Sequence, residues 1–279
     1  MKKTILSFMF LLLSFSLFAL PESERNITES ESSPFVLNPA GDIIFSAGVL
    51  GTLAVSRILP KIIDLPEYYE KSYAKEDING FDRIFAKQYN RTLDNIGTVT
   101  VLACYAMAPL VFCGELLAKN LEWKDAATLL VMYAQTVALG KSIKGLLKSA
   151  VHRTRPYMYF EGYPTEELDN YDFEYSFPSG HSLDAFMTAT FASYTFCKYY
   201  PKSNFKIPLI AVSYSLATAT AALRVSSGNH FATDVLAGAA IGTAVGFLVP
   251  WCHTFSRRIS NEKMQMELSP AGANLSFRL

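Results

Sequence analysis

Eleven residues, Arg224-Val-Ser-Ser-Gly-Asn-His230-Phe-Ala-Thr-Asp234, bring a fixed cation, a small-residue turn, an imidazole and a carboxylate together just ahead of a long apolar run. A helix beginning near His230 puts Asp234 at i+4 on the same face. There it accepts a proton from one ring nitrogen and leaves the other free as a nucleophile. Lys148 and Arg155, the latter followed by Pro156, form a second pattern. On a helix stopped by the proline, both project from nearly the same face, about 10.5 Å apart along the axis. Arg155 suits bidentate contact with phosphate oxygens, and Lys148 supplies a compact point charge. The third stretch is Phe177-Pro178-Ser179-Gly180-His181-Ser182. Gly180 lets backbone N–H groups approach an anion at a helix start, and His181 sits beside it, where a proton donor is needed. Each stretch alone also fits a structural role: a helix cap, a charge cluster at a membrane boundary, an ordinary helix entry.

Taken together and in this order, the three resemble the type 2 phosphatidic acid phosphatase (PAP2) superfamily, in its membrane lipid phosphatase branch. That family's pattern is Lys-x6-Arg-Pro, then Pro-Ser-Gly-His, then Ser-Arg-x5-His-x3-Asp. The resemblance runs from residue 148 to 234 and departs at one position, where Leu223 replaces the family's serine. It implies an all-α membrane bundle of about five to six spans with a PAP2 and vanadium-haloperoxidase-like core. It also implies that His230 attacks phosphorus to form a phosphohistidine, that Asp234 orients it, and that His181 protonates the leaving alcohol and later activates water. Lys148, Arg155, Ser179, Gly180 and Arg224 are implied to hold the phosphate oxygens, with no metal and no cofactor. The implied substrate is a lipid-linked phosphate: phosphatidate, phosphatidylglycerol phosphate, a polyprenyl diphosphate or a lipid A phosphate. Alternative readings are a soluble exported acid phosphatase, a haloperoxidase using the same pocket for vanadate, and a catalytically silent membrane scaffold.

The elements that must position these residues are apolar. The 279-residue chain is 50% hydrophobic and 18% charged with zero net charge, which favours a membrane protein and gives no reason to expect nucleic acid as a partner. Its four cysteines have no zinc-like spacing and read as small hydrophobes. Lys2 and Lys3 precede an apolar stretch from Ile5 to Leu20, the pattern of a signal peptide or signal anchor over 1–20. The next segment, 21–95, is expected to be exported and non-spanning. Within it Ile43–Leu59, broken by Gly48, Gly51 and Arg57, is expected to be a short interfacial or packed helix. Spans are expected at Ile96–Leu117, Ala126–Leu147, Leu183–Tyr199, Ile207–Leu223 and Val235–Trp251, within a catalytic domain over 96–256. A basic-then-polar tail follows over 257–279. With these spans, all three motifs fall on one face of a bacterial-type inner membrane, the periplasmic or outer one. The loops Lys119–Lys124 and Lys198–Lys206 and the tail from Arg257 lie inside, as the positive-inside rule asks. Between the first two motifs, Tyr157–Ser176 has six carboxylates and seven Tyr or Phe residues but no Lys or Arg, and reads as a solvated loop or a lid. His152 is expected to be structural and His253 to lie past the last span without a catalytic role. The oligomeric state stays open.

Overall fold

The computed structural model describes residues 33–62, 73–163, 172–263, 268–269 and 272–273. The signal-like stretch 1–20 lies outside the described residues, as does part of the acidic segment. Six long helices dominate: α1 (Pro39–Ile62), α3 (Arg91–Leu117), α4 (Trp123–Val151), α5 (Gly180–Tyr199), α6 (Lys206–Ser226) and α7 (Ala232–Lys263). A six-residue helix, α2 (Gly80–Phe85), and three 3-10 turns fill the connections. The described strands are a two-residue antiparallel pair, Leu268–Ser269 with Gly272–Ala273. The architecture is all-α.

Helix α5 runs through the middle and packs on α3, α4, α6 and α7. Because protein surrounds it, it tolerates buried Ser182, Asp184, Thr188, Ser193 and Thr195 in place of a uniformly apolar surface. Their hydroxyls are partly satisfied locally, as when Thr188 and Thr195 donate back to carbonyls one turn earlier. The other five long helices are each long and apolar enough to cross a membrane, and the protein is a multi-pass membrane protein. Helix α7 reaches the backbone of α5 through Gly238, Gly242 and Gly246. A Cβ at these positions would stand 2.5, 2.2 and 2.3 Å from the carbonyl oxygens of Ser179, Leu183 and Met187. Small residues every fourth position let two helix backbones touch, and here they lock the start of α7 onto the start of α5.

Ile43–Leu59 is packed, one of the two expected alternatives, but it is part of a longer helix than expected, one long and apolar enough to cross a membrane. This stretch belongs to the 24-residue helix α1, which packs lengthwise on α4 and turns Ile43, Ile44, Leu50, Val55 and Ile58 outward. Its glycines do not break it, because the helix is held by tertiary packing: Ser142 of α4 donates to the Val49 carbonyl, and Gly145 sits against Ser56. The amino-terminal end of α1 meets the far end of the bundle, where Phe35 packs on Tyr199 and Ser33 hydrogen-bonds to the same phenol. His253 lies within α7 rather than past it. It pairs with Asp42 of α1 at 2.9 Å and so ties those two helices together.

Candidate active site

The carboxyl-terminal ends of α4 and α6 and the amino-terminal ends of α3, α5 and α7 converge at one end of the bundle around a cavity of ≈ 340 Å³. Its walls are Asp94, Thr98, Lys144, Lys148, Arg155, Asp172, Gly180, His181, Arg224, Asn229 and His230. Six of the eight residues singled out from the sequence are in that list. The other two, Ser179 and Asp234, are fully buried behind it.

Lys148 and Arg155 reach the cavity by a different route from the one their spacing suggests. Helix α4 ends at Val151, well before Pro156, and His152 caps it in the left-handed conformation (φ 44°) with its ring against Tyr175. The chain then runs extended, and Pro156 begins a 3-10 turn. Arg155 therefore enters from a loop. Its Nε donates to the Asp172 carbonyl at 3.0 Å, Nη2 to the Asp172 carboxylate at 2.5 Å, and Nη1 to Asn229 Oδ1 at 3.1 Å. Arg224, at the end of α6, is held by Asp94 of α3. Leu223 beside it packs its Cβ 3.6 Å from the Cβ position of Gly97, so an apolar contact stands where the family has a serine.

His230 precedes α7 instead of starting it. Gly228, at φ +76°, makes the turn that presents it, and a side chain there would collide with the carbonyls of Lys87 and Gln88. His230 Nδ1 lies 2.7 Å from the Ser176 carbonyl, which can only accept. The ring proton is thus on Nδ1, and Nε2 keeps its lone pair. Burial first, and then the cations Arg155, Arg224 and Lys148, hold the imidazole well below its ordinary pKa of 6.5, so it is neutral.

The expected bond from His230 to Asp234 is replaced. Asp234 Oδ2 is 3.8 Å from Nδ1 and instead accepts from Ser176 Oγ at 2.6 Å and from the Phe231 N–H at 2.9 Å, while Oδ1 accepts from Arg153 at 2.5 Å. Because His230 stands outside the helix, the i+4 geometry does not apply. Asp234 fixes Ser176, whose carbonyl in turn fixes the ring. Ser179 is the N-cap of α5, accepting from the Ser182 N–H and donating its own N–H to the Asp234 carbonyl. His181 follows Gly180 in the first turn of α5, with Thr98 Oγ1 3.4 Å from its Nε2.

Beneath Gly180 lies Lys144, whose Cδ is 2.8 Å from where a Cβ would stand, and which pairs with Asp184 at 3.3 Å. Sequence reasoning missed Lys144, although it shares a helical face with Lys148 at i−4. It also missed Asp94, Thr98, Asp172 and Asn229. Asn229 adjoins His230, whereas Asp94 and Thr98 had no local signal. The described ends of the acidic segment are packed in part: Tyr157, Met158 and Phe173 form a buried cluster with Glu174 buried too, whereas Glu161 and Gly162 are exposed. Among the described residues no three His, Cys, Asp or Glu side chains gather as a metal ion would need.

The sequence pattern of the PAP2 superfamily matches residues 126–258, which span all three motifs. The matched stretch makes up just under half of the chain and holds the cavity-lining residues from Lys144 to His230. Over 77 residues, 27% of this chain, it is 36% identical to the lipid A 1-phosphatase of Porphyromonas gingivalis, and over 76 residues it is 37% identical to phosphatidylglycerophosphatase B of Bacillus subtilis. These matches span 16% and 37% of the two relatives' own lengths. The crystal structure of a transmembrane PAP2-type phosphatidylglycerolphosphate phosphatase from Bacillus subtilis superposes with a TM-score of 0.37 at 22% identity, covering 79% of this chain and 94% of that one.

Proposed function

We propose that this protein hydrolyses a phosphate ester of a membrane lipid through a phosphohistidine. The observation that carries the reading is that His230, His181 and the cations Lys148, Arg155 and Arg224 line one cavity at the end of a bundle of membrane-crossing helices. His230 Nε2 attacks phosphorus, a P–N bond forms, and the bond from phosphorus to the lipid oxygen breaks. His181 gives its proton to that oxygen, and a phosphate dianion beside it favours the imidazolium that the donation needs. Water then attacks phosphorus with His181 as base, which frees phosphate and restores His230. Lys148, Arg155 and Arg224 stabilise the charge on the equatorial oxygens. The two relatives are named for lipid A 1-phosphate and phosphatidylglycerophosphate hydrolysis, which supports a lipid substrate. The five long apolar helices weigh against a soluble acid phosphatase.

We also propose that the site faces outward from a bacterial inner membrane. The opposite end of the bundle carries Lys119, Lys124, Lys198, Lys202 and Lys206, with Arg257 and Arg258 toward the end of α7, while at the site end Lys75, Arg83, Lys87 and Arg91 are set against the six carboxylates of Tyr157–Ser176. Once α1 crosses, residues 33–38 share the basic end, so an export signal over 1–20 and the basic loops demand opposite orientations. The loops govern in this reading, since they carry several cations in three separate connections.

Purified full-length protein is expected to release phosphate from a lipid phosphate faster than from a soluble aryl phosphate. It should do so in the presence of EDTA, be inhibited by vanadate, and lose all turnover in His230→Ala. Turnover restricted to the soluble ester would favour the acid phosphatase, and no turnover of any ester would favour the scaffold. A reporter fused after Leu279 should be active only in its cytoplasmic form; activity only in the exported form would put the site in the cytoplasm.

A further inference from the structure

Helix α3 lies outside the stretch that matches the family, yet it supplies Asp94 and Thr98 to the cavity wall. A carboxylate in a pocket built for an anion is unfavourable unless it has a task there. Asp94 sits in the first turn of α3, next to the helix start capped by Asn90, a location that favours a negative charge. Both of its oxygens are engaged. Oδ1 accepts from Arg224 Nη1, and Oδ2 accepts from the Tyr89 hydroxyl at 2.9 Å. The guanidinium of Arg224 lies along this face of α3, with Nη1 3.5 Å and Cδ 3.4 Å from the Cβ position of Gly97. Its Nε is buried and finds no hydrogen-bond partner, so one N–H of a clamped arginine is left for another acceptor.

The charges around the cavity tell the same story. Lys144, Lys148, Arg155 and Arg224 face Asp94 and Asp172, and behind Lys144 the carboxylate of Asp184 is offset by Lys141. Four cations against two carboxylates leave two positive charges, matching the charge of a phosphate dianion. Without Asp94 the excess would be three, and the product phosphate would be held more tightly than the reaction requires.

Resting on the phosphatase reading above, we infer that Asp94 is a positioning residue of this site. It clamps Arg224 toward the bound phosphate and removes one unit of positive charge so that phosphate is bound but released. A structural role alone predicts weaker oxyanion binding on substitution. The clamp predicts the reverse for a substitution that keeps shape and removes charge.

The experiment uses the full-length protein in detergent, with inorganic phosphate and vanadate as probes. In Asp94→Asn the inhibition constants for both are expected to tighten about tenfold while kcat falls about tenfold, since one unit charge is lost within a few ångström of the anion. Asp94→Glu, which restores the charge, should return the inhibition constants to within about twofold of the parent. Asp94→Ala, which also frees Arg224, should lower kcat about a hundredfold. Unchanged or weaker oxyanion inhibition in Asp94→Asn overturns the inference. If Asp94→Asn does not survive purification, vanadate inhibition is read on the unpurified full-length variant in membranes and carries the same expectation. Vanadate binding measured by calorimetry gives the same comparison without turnover. A parent that binds vanadate but cleaves no phosphate ester would overturn the phosphatase reading alone, leaving the effect of Asp94 on the oxyanion to be judged separately.

Discussion

Arg153 and Arg155 are two residues apart on one short loop, and the molecule uses them in opposite ways. Arg155 lines the cavity, its guanidinium steadied by Asp172 and Asn229. Arg153 turns the other way, into a network that holds the loop itself. It bridges Asp82 at 2.6 Å and Asp234 at 2.5 Å, donates to Thr233 and lies 4.2 Å over the ring of Phe231. Asp82, with no exposed surface, also accepts from the N–H and hydroxyl of Thr233 and from Asn79. Burial works against the charge on Asp82, but the hydrogen bonds from Thr233, Arg153 and Asn79 outweigh it and keep its pKa below the ordinary carboxylate value. One arginine thus works on the substrate side and the other on the scaffold side. The difference is not burial, since Arg155 is the more buried of the two (side chain 6% exposed against 24%): a cation whose donors meet scaffold carboxylates gives rigidity, and one that lines the cavity gives binding.

The sharpest way to break this contrast is at Asp82. Asp82→Ala leaves Arg153 and Thr233 facing an emptied carboxylate position, and the expected cost is about 3–5 kcal/mol of stability, read from denaturation in detergent. A midpoint equal to the parent's would mean that the network is ornamental. Arg155→Lys tests the other side. The charge stays but the planar fork is lost, so kcat/KM is expected to fall about a hundredfold with an unfolding midpoint near the parent's. If the variant unfolds instead while its folded fraction keeps full activity, the two arginines are alike after all. The smallest effect is expected at Ser179. As a helix cap set behind the cavity wall, Ser179→Ala should cost about 1 kcal/mol of stability and change kcat by less than about tenfold. A larger loss of rate would return Ser179 to the phosphate, where the family resemblance puts it.

The placement of Arg153 also explains how Asp234 can orient His230 without touching its ring. Asp234 receives Arg153 on one oxygen and Ser176 Oγ and the Phe231 N–H on the other, and the Ser176 carbonyl then sets the tautomer of His230. A sequence spacing of four suggests a direct contact. The structure achieves the same tautomer through one intervening residue, because the helix starts at Ala232 and not at His230.

The sequence by itself determined the apolar helices and the order of the three motifs and singled out six residues that line the cavity, since each depends on local composition or on spacing within one stretch. Helix α1 was legible as apolar but not at its full length of 24 residues, because its continuity depends on α4 packing beside it. Lys144 was legible in principle, lying one turn before Lys148 on the same face. Only the tertiary structure decided which cations line the cavity and which carboxylates hold them. Arg224 finds Asp94 across 130 positions of chain, and Arg153 finds Asp82 across 71. Neither partner lies in the same element. The physical reason is that a buried charge takes whatever counter-charge the packed helices bring within hydrogen-bond reach. That choice belongs to the three-dimensional arrangement and leaves no periodicity in the chain.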